Sequence, residues 1–271
     1  MGRIEDEFQV IRDSLQEGAV FRSLNLDALS PAGVDSTIDS LKAEASSSVR
    51  VLLHSIAFGN LKPIAPVLPG RKERVEELTE RMATRLGTSR ENVGKAVDEL
   101  LEEGFDELSA VSPPEYSESL IDDEDMARTI YSMGTSLLTW VQRLHGAGLF
   151  APDARVFAMT SEGNDVAWRG YAAVSAAKTA LEAVSRSIAV EFAPFGIRSN
   201  IIQAGVTDTP ALRAIPGSAG MKAAARMRNP FGRLTVPEDV ANVISLMCKN
   251  EAAWVNGSLI RVDGGEHIAA S

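Results

Sequence analysis

Apolar stripes of helical period alternate along this chain with short, nearly continuous apolar runs, the pattern of a parallel sheet covered by helices. Residues 3–17 place Ile4, Phe8, Ile11 and Leu15 on one helical face that Gly18 ends, and 19–26 reads as a strand. A short helix over 33–45 precedes Val49–Ala57, whose run of apolar residues predicts a mostly buried strand. Residues 121–147 predict a long helix with Ile130, Leu137, Leu138, Val141 and Leu144 facing inward. Asp122, Asp123 and Glu124 stand at its start, where the helix dipole favours negative charge. A strand over 154–160, a helix over 169–193, a strand over 197–203, a helix over 236–249 and a strand over 258–262 follow. The fold class is therefore α/β, a parallel sheet with helices on both faces.

Residues 60–120 interrupt this alternation. Pro63, Pro66 and Pro69 break the chain after the Val49–Ala57 strand, and Pro113-Pro114 break it again. Between them lie two charged helices, 71–87 and 89–104, with stripes Val75/Leu78/Met82/Leu86 and Val93/Val97/Leu100. The expectation is one α/β domain over 1–271 carrying a helical hairpin inserted at 60–120.

Composition narrows the function classes. A net charge of −10 argues against nucleic acid, because neutralising phosphates needs clustered Lys and Arg. No run approaches the roughly 18 apolar residues of a membrane span, and Met1–Glu7 has no apolar signal core, so a soluble cytoplasmic protein is expected. Cys248 is the only cysteine, which rules out an internal disulfide and suits core packing. His54, His145 and His267 lack ligand spacing, so no metal is expected, and His54 reads as a packed strand-end residue. The acidic runs at 76–80, 98–107 and 122–125 read as solvated helix faces. Arg213, Lys222, Arg226 and Arg228 gather in one stretch, where they either form a basic edge that steers an anionic substrate or serve only as solubilising charge.

The chemistry centres on Tyr171 and Lys178, seven residues apart at the start of a helix that follows a strand. Seven residues is about two helical turns, so phenol and ammonium share a face. A nearby ammonium is expected to lower the phenol pKa and make a usable proton donor.

Around that pair, several segments fall in a known order. They are His54-Ser55-Ile56-Ala57-Phe58-Gly59, Thr160-Ser161 with Gly163, the Tyr171/Lys178 helix, and Arg198 to Gly205 with Asn200. Gly232-Arg233 with Pro237 and Asp239, and the ending Gly257 to Gly265 with Asp263-Gly264-Gly265, complete the set. In this the chain resembles the short-chain dehydrogenase/reductase superfamily over residues 1–60 and 121–269, about three quarters of its length. Val174 occupies the position four before the lysine, where most members carry the tyrosine. Tyrosine seven before the lysine, with the His-Ser-Ile segment, resembles the enoyl-acyl-carrier-protein reductases.

That resemblance implies a Rossmann-like fold and an NADH- or NADPH-dependent oxidoreductase acting on an enoyl thioester of acyl carrier protein or coenzyme A, in fatty-acid-type metabolism. Tyr171 would polarise the thioester carbonyl, and Lys178 would bond the nicotinamide ribose. Ser55, Ile56 and Ala57 would line the adenosine side, Val206, Thr207 and Thr209 would run beside the nicotinamide and pyrophosphate, and Asn25 and Leu26 would also touch the cofactor. A homo-oligomer, dimer or tetramer, is implied.

Two departures keep other readings open. Where the enoyl reductases carry a second aromatic, ten before the tyrosine, this chain has Ser161, which also matches the wider superfamily's catalytic serine. Carbonyl (3-oxoacyl) reduction therefore stands as an alternative, with a loop cap as the plainer role for Ser161. No glycine-rich turn occurs before residue 59, where only Gly2, Gly18 and Gly33 are found, so the Rossmann-like sheet is expected to be N-terminally incomplete. The expectation is a start internal to a longer protein. The other readings are a unit supplied by another chain, direct pairing of the 19–26 and 49–57 strands, or a catalytically inactive partner subunit.

Overall fold

The computed structural model describes residues 20–44, 48–66, 68–111 and 116–269. The helix expected over 3–17 and the Pro113-Pro114 break lie outside them. The chain divides into two units, Met1–Ser47 and Ser48–Ser271.

In the first unit, α1 spans Pro31–Lys42. Pro31 opens it, and the Ser30 hydroxyl accepts the Gly33 N–H at 3.1 Å, satisfying one of the unpaired donors of the first turn. The strand expected over 19–26 is not formed: residues 20–26 have no strand pairing and are largely exposed. Their apolar residues match a strand pattern, but among the described residues no strand pairs with them to supply the ladder that would hold it.

In the second unit, a four-stranded parallel sheet runs in the order β1 (Val49–His54), β2 (Phe150–Thr160), β3 (Ile197–Ala204), β4 (Leu259–Val262). One face is covered by α4 (Asp123–Ile130), α5 (Ser136–Gly146) and α6 (Ala172–Glu191). Leu137, Val141, Val156, Leu181, Ile188, Ile197 and Ile201 form its core. The opposite face carries α9 (Pro237–Met247), with Phe157, Ile202, Val240 and Met247 buried and Cys248 packed beside them.

A π-helical turn, Tyr131–Thr135, joins α4 to α5. Within it Gly134 touches the next layer so closely that a Cβ there would lie 2.7 Å from the Ala177 carbonyl. The absent side chain is what lets α6 approach.

β1 departs from the sequence reading. It ends at His54, three residues short of Ala57, and Val51 and Leu53 are exposed although the strand was expected to be mostly buried. Among the described residues β1 pairs only with β2, so its other edge has no strand partner among them. The expected strand starting at residue 154 instead begins at Phe150.

The hairpin forms as α2 (Pro69–Leu86) and α3 (Arg90–Glu103). Gly87, at φ 64°, closes α2 in the left-handed region, and Ser89 caps α3. Val93 and Val97 are buried as expected, and Val75 and Met82 are partly buried, but the rest of the stripes differ. Leu78, Leu86 and Leu100 are exposed, while Ala83, Val93, Val97 and Leu101 are buried against Ala223. Ala223 belongs to α8 (Ser218–Arg228), so the hairpin's inner face is set by that helix, which periodicity within the hairpin does not register.

Leu181→Ala should lower the unfolding free energy by about 2–5 kcal/mol in denaturant melts, because its side chain is 0% exposed. Leu138→Ala, at 36% exposure on the same helical layer, should cost less than about 1 kcal/mol.

Candidate active site

The candidate site lies at the carboxyl ends of the strands. β2 ends at Thr160 and passes through Ser161, a single turn at Glu162–Asn164, and then Tyr171, the N-cap of α6. The Tyr171 ring meets the Trp168 ring edge to face at 5.4 Å and packs with Met133, Val174 and Ala177. It also lies against Gly163, where a Cβ would sit 2.4 Å from the ring. The Ser161-Glu162-Gly163 sequence thus seats the ring through the absence of a side chain at its third residue.

Ser161 Oγ is buried and has no partner in hydrogen-bonding geometry. Its backbone caps the short turn but its hydroxyl does not, so the plain capping role is not filled. Burial pushes the Tyr171 phenol up; the adjacent Ser161 hydroxyl opposes this, and the Glu162 charge adds to it. The expected depression of the phenol by lysine does not occur. The Lys178 ammonium is aimed instead at the strand end, donating to the Met159 carbonyl at 2.8 Å. Burial lowers Lys178 to about 8, with Glu182 opposing. Glu182 itself accepts from Asn164 at 2.6 Å and Thr160 at 3.3 Å.

His54 ends β1 and faces the same region. Its Nε2 is 2.8 Å from Ser136 Oγ, and Ser136 Oγ donates to the Ser132 carbonyl at 2.9 Å. The other ring nitrogen, Nδ1, is buried without a hydrogen-bond partner. Burial, with the Lys178 charge second, lowers His54 to about 4, so the ring is neutral near pH 7. Ser132 Oγ also donates to the Phe58 carbonyl. The π turn therefore presents Ser132 to the loop leaving β1 while Ser136, just beyond it, holds His54, an irregularity of the kind that gathers at functional sites.

The remaining predicted residues are distributed around this centre. Ser55, Ile56 and Ala57 leave the end of β1, and Ser55 and Ala57 are exposed. Val206, Thr207 and Thr209 follow β3. Val206 N–H donates to Glu266 at 3.2 Å, and Thr209 caps the short helix α7 (Pro210–Arg213). Asn25 and Leu26 belong to the first unit, where both are exposed.

Sequence reasoning missed two features. One is the His54–Ser136 pair, joined across 82 residues. The other is a buried ionic knot in which Arg228 donates to Glu162 at 2.7 Å and to Glu266 at 3.0 Å. This knot also corrects the reading of a basic steering edge. Arg213 is doubly bonded to Asp208, Lys222 to Glu102, Arg228 to Glu162 and Glu266, and Arg226 to the Glu102 carbonyl. Those cations are neutralised by carboxylates or bonded within the chain, and all four partners except Asp208 are distant in sequence. Among the described residues no cluster of three or more His, Cys, Asp or Glu can hold a metal, and no helix is long and apolar enough to cross a membrane.

A parallel sheet between helical layers, with Ser161, Tyr171 and Lys178 gathered at its carboxyl end, defines a Rossmann-like short-chain dehydrogenase/reductase. The family profile described as enoyl-(acyl carrier protein) reductase matches residues 71–267, and the chain belongs to that family. It is 41% identical over 91 residues to the cis-4-hydroxycyclohexanecarboxylate dehydrogenase of Sinomonas cyclohexanicum, covering 34% of this chain and 36% of that protein. It is 32% identical over 118 residues to the 1-cyclohexenylcarbonyl-CoA reductase of Streptomyces collinus, covering 43% and 42%. The matched stretches thus span about a third to a half of the length of the curated relatives. The fold is similar to the Bacillus cereus enoyl-acyl carrier protein reductase, with a TM-score of 0.71 at 18% identity over 100% of this chain and 84% of that one. The Aquifex aeolicus enoyl-[acyl-carrier-protein] reductase gives 0.69 at 19% identity, with the same coverage.

His54 binds a proton less readily folded, at about 4, than unfolded, at 6.5, so stability should fall as pH drops from 6.5 through 4. His54→Gln removes this contribution. Urea melts at pH 7 and pH 4.5 should show a smaller pH-dependent loss for the variant, by about 2–3 kcal/mol. An equal loss in both proteins would contradict the buried, neutral imidazole.

Proposed function

We propose that this chain carries the catalytic part of a nicotinamide-dependent oxidoreductase that reduces a 2-enoyl thioester. The observation that carries the reading is the buried, unpartnered Ser161 hydroxyl beside the Tyr171 phenol, at a strand end backed by the Lys178 ammonium. The residues present suit the nicotinamide end of NADH or NADPH. Lys178 uses one of its three N–H donors on Met159 and keeps two for ribose hydroxyls, and Val206, Thr207 and Thr209 border the same end of the sheet. Among the described residues no glycine-rich turn stands ready for the pyrophosphate.

When bound, the reduced nicotinamide would supply a hydride to the β-carbon of the alkene, and a solvent proton taken up at the α-carbon would complete the reduction. Tyr171 hydrogen-bonds the thioester carbonyl oxygen and stabilises the negative charge that grows there as the enolate forms. The raised phenol pKa keeps Tyr171 protonated at neutral pH, so it acts as a neutral donor. Ser161 provides a second donor to the same oxygen. Trp168, Met133 and Val174 keep water from the phenol's apolar side. The likeness to the 1-cyclohexenylcarbonyl-CoA reductase supports a thioester carried by coenzyme A or acyl carrier protein, and a homo-oligomer is the expected assembly.

Ser161 also favours a second reading, reduction of a 3-oxoacyl or other carbonyl group, in which Tyr171 delivers its proton to the carbonyl oxygen. A panel of 2-enoyl thioesters, 3-oxoacyl thioesters and simple ketones, followed by loss of reduced-nicotinamide absorbance in the full-length native protein, separates the two. Turnover on the enoyl thioesters alone supports the first, and turnover on ketones alone overturns it. Tyr171→Phe should lower kcat by about 10²–10⁴-fold with an unchanged melting temperature; wild-type turnover would remove Tyr171 from the mechanism. Above about pH 8, Lys178 loses its charge, and nicotinamide affinity measured by fluorescence should weaken.

A further inference from the structure

α8 bridges the hairpin and the candidate site. Near its middle, Lys222 is 3% exposed, yet it carries an ammonium. That charge is met by both carboxylate oxygens of Glu102, at 2.7 and 2.5 Å, from the last turn of α3. Asp208 stands 3.6 Å from the same ammonium and is itself held by two 2.9 Å bonds from Arg213. Asp208 lies within the Val206–Thr209 segment. At its far end, α8 presents Arg228 to Glu162, the neighbour of Ser161.

Apolar contact runs alongside the ion pairs. Ala223 is wholly buried against Val93, Val97 and Leu101, and Arg226 donates to the Glu102 carbonyl. The helices meet through small residues, and Gly220 places its backbone within reach of Ser109. A buried ammonium that loses one carboxylate is left under-compensated, which is costly and loosens the helix that carries it and the contacts made through it.

We infer that the inserted hairpin is a brace for the active site, with Glu102 a positioning residue that fixes both α8 and the Val206–Thr209 segment through Lys222. This rests on the reductase reading for what the segment does, but its mechanical part stands apart from any activity. Glu102 touches no reacting group; it acts through Lys222 on Asp208.

The test is amide hydrogen exchange on the full chain, comparing wild type, Glu102→Gln, Lys222→Met and the double variant. Glu102→Gln should accelerate exchange in 205–213 and 218–228 by about tenfold and leave β2 and α6 unchanged. In the Lys222→Met background, adding Glu102→Gln should change exchange in 205–213 by less than about twofold. Equal acceleration in both backgrounds, or loosening confined to the hairpin, overturns the inference. In the active enzyme, Glu102→Gln should raise KM for the acyl thioester about three- to tenfold with kcat within about twofold, and an unchanged KM would overturn the positioning role. If no thioester turnover is found with wild type, the reductase reading fails while the exchange result still decides the brace.

Discussion

Keeping the Lys178 ammonium charged out of water is the constraint around which this site is organised. Burial lowers it to about 8 against the opposing charge of Glu182, so it stays protonated at neutral pH, and it donates to the Met159 carbonyl. Glu182 comes from α6 itself, one turn on, while the Met159 contact requires α6 to lie close along the last residues of β2. That approach depends on small residues: Ala173 and Ala177 are wholly buried, and Gly134 leaves room for the Ala177 carbonyl. A large side chain at Gly134 would push α6 away from the π turn and disturb the helix that carries the charge.

With α6 so placed, Tyr171 falls at the helix N-cap and shares the carboxyl end of the sheet with Ser161 and His54. Three successive residues then have separate tasks. Ser161 offers a free hydroxyl, Glu162 anchors to Arg228, and Gly163 leaves the space that the phenol ring occupies. The loop is rigid for an electrostatic reason. Glu162 and Glu266 are both buried, and one guanidinium spans them, so the loop after β2, the end of α8 and the C-terminal turn move together. A chain with net charge −10 thus uses Arg213, Lys222 and Arg228 internally, against its own carboxylates. This arrangement leaves those cations little field with which to attract an anionic partner.

Most of the α/β alternation was legible, because buried parallel strands and amphipathic helices write their periods directly into the chain. The long helices, the β2–β4 strands and the hairpin all appear within a few residues of their expected bounds. The errors fall where an element's environment comes from elsewhere. The 19–26 segment has strand-like residues but no ladder, β1 has neighbours on one side only among the described residues, and Leu100 yields to Leu101 because α8 chooses the buried face. The placing of Tyr171 and Lys178 at the start of a helix that follows a strand was likewise readable, since it is a local geometry.

What the amino-acid order determined by itself was local: helix period, caps such as Ser30 and Ser89, glycine turns, and the placing of Tyr171 at the start of the helix that carries Lys178. The tertiary structure alone decided which way the phenol pKa moves, which serine holds His54, and which carboxylates absorb the basic residues of α7 and α8. The His54–Ser136, Arg228–Glu266 and Lys222–Glu102 contacts join residues 82, 38 and 120 apart, where the energy depends on distance and on excluded water. Neither quantity is carried by spacing along a chain.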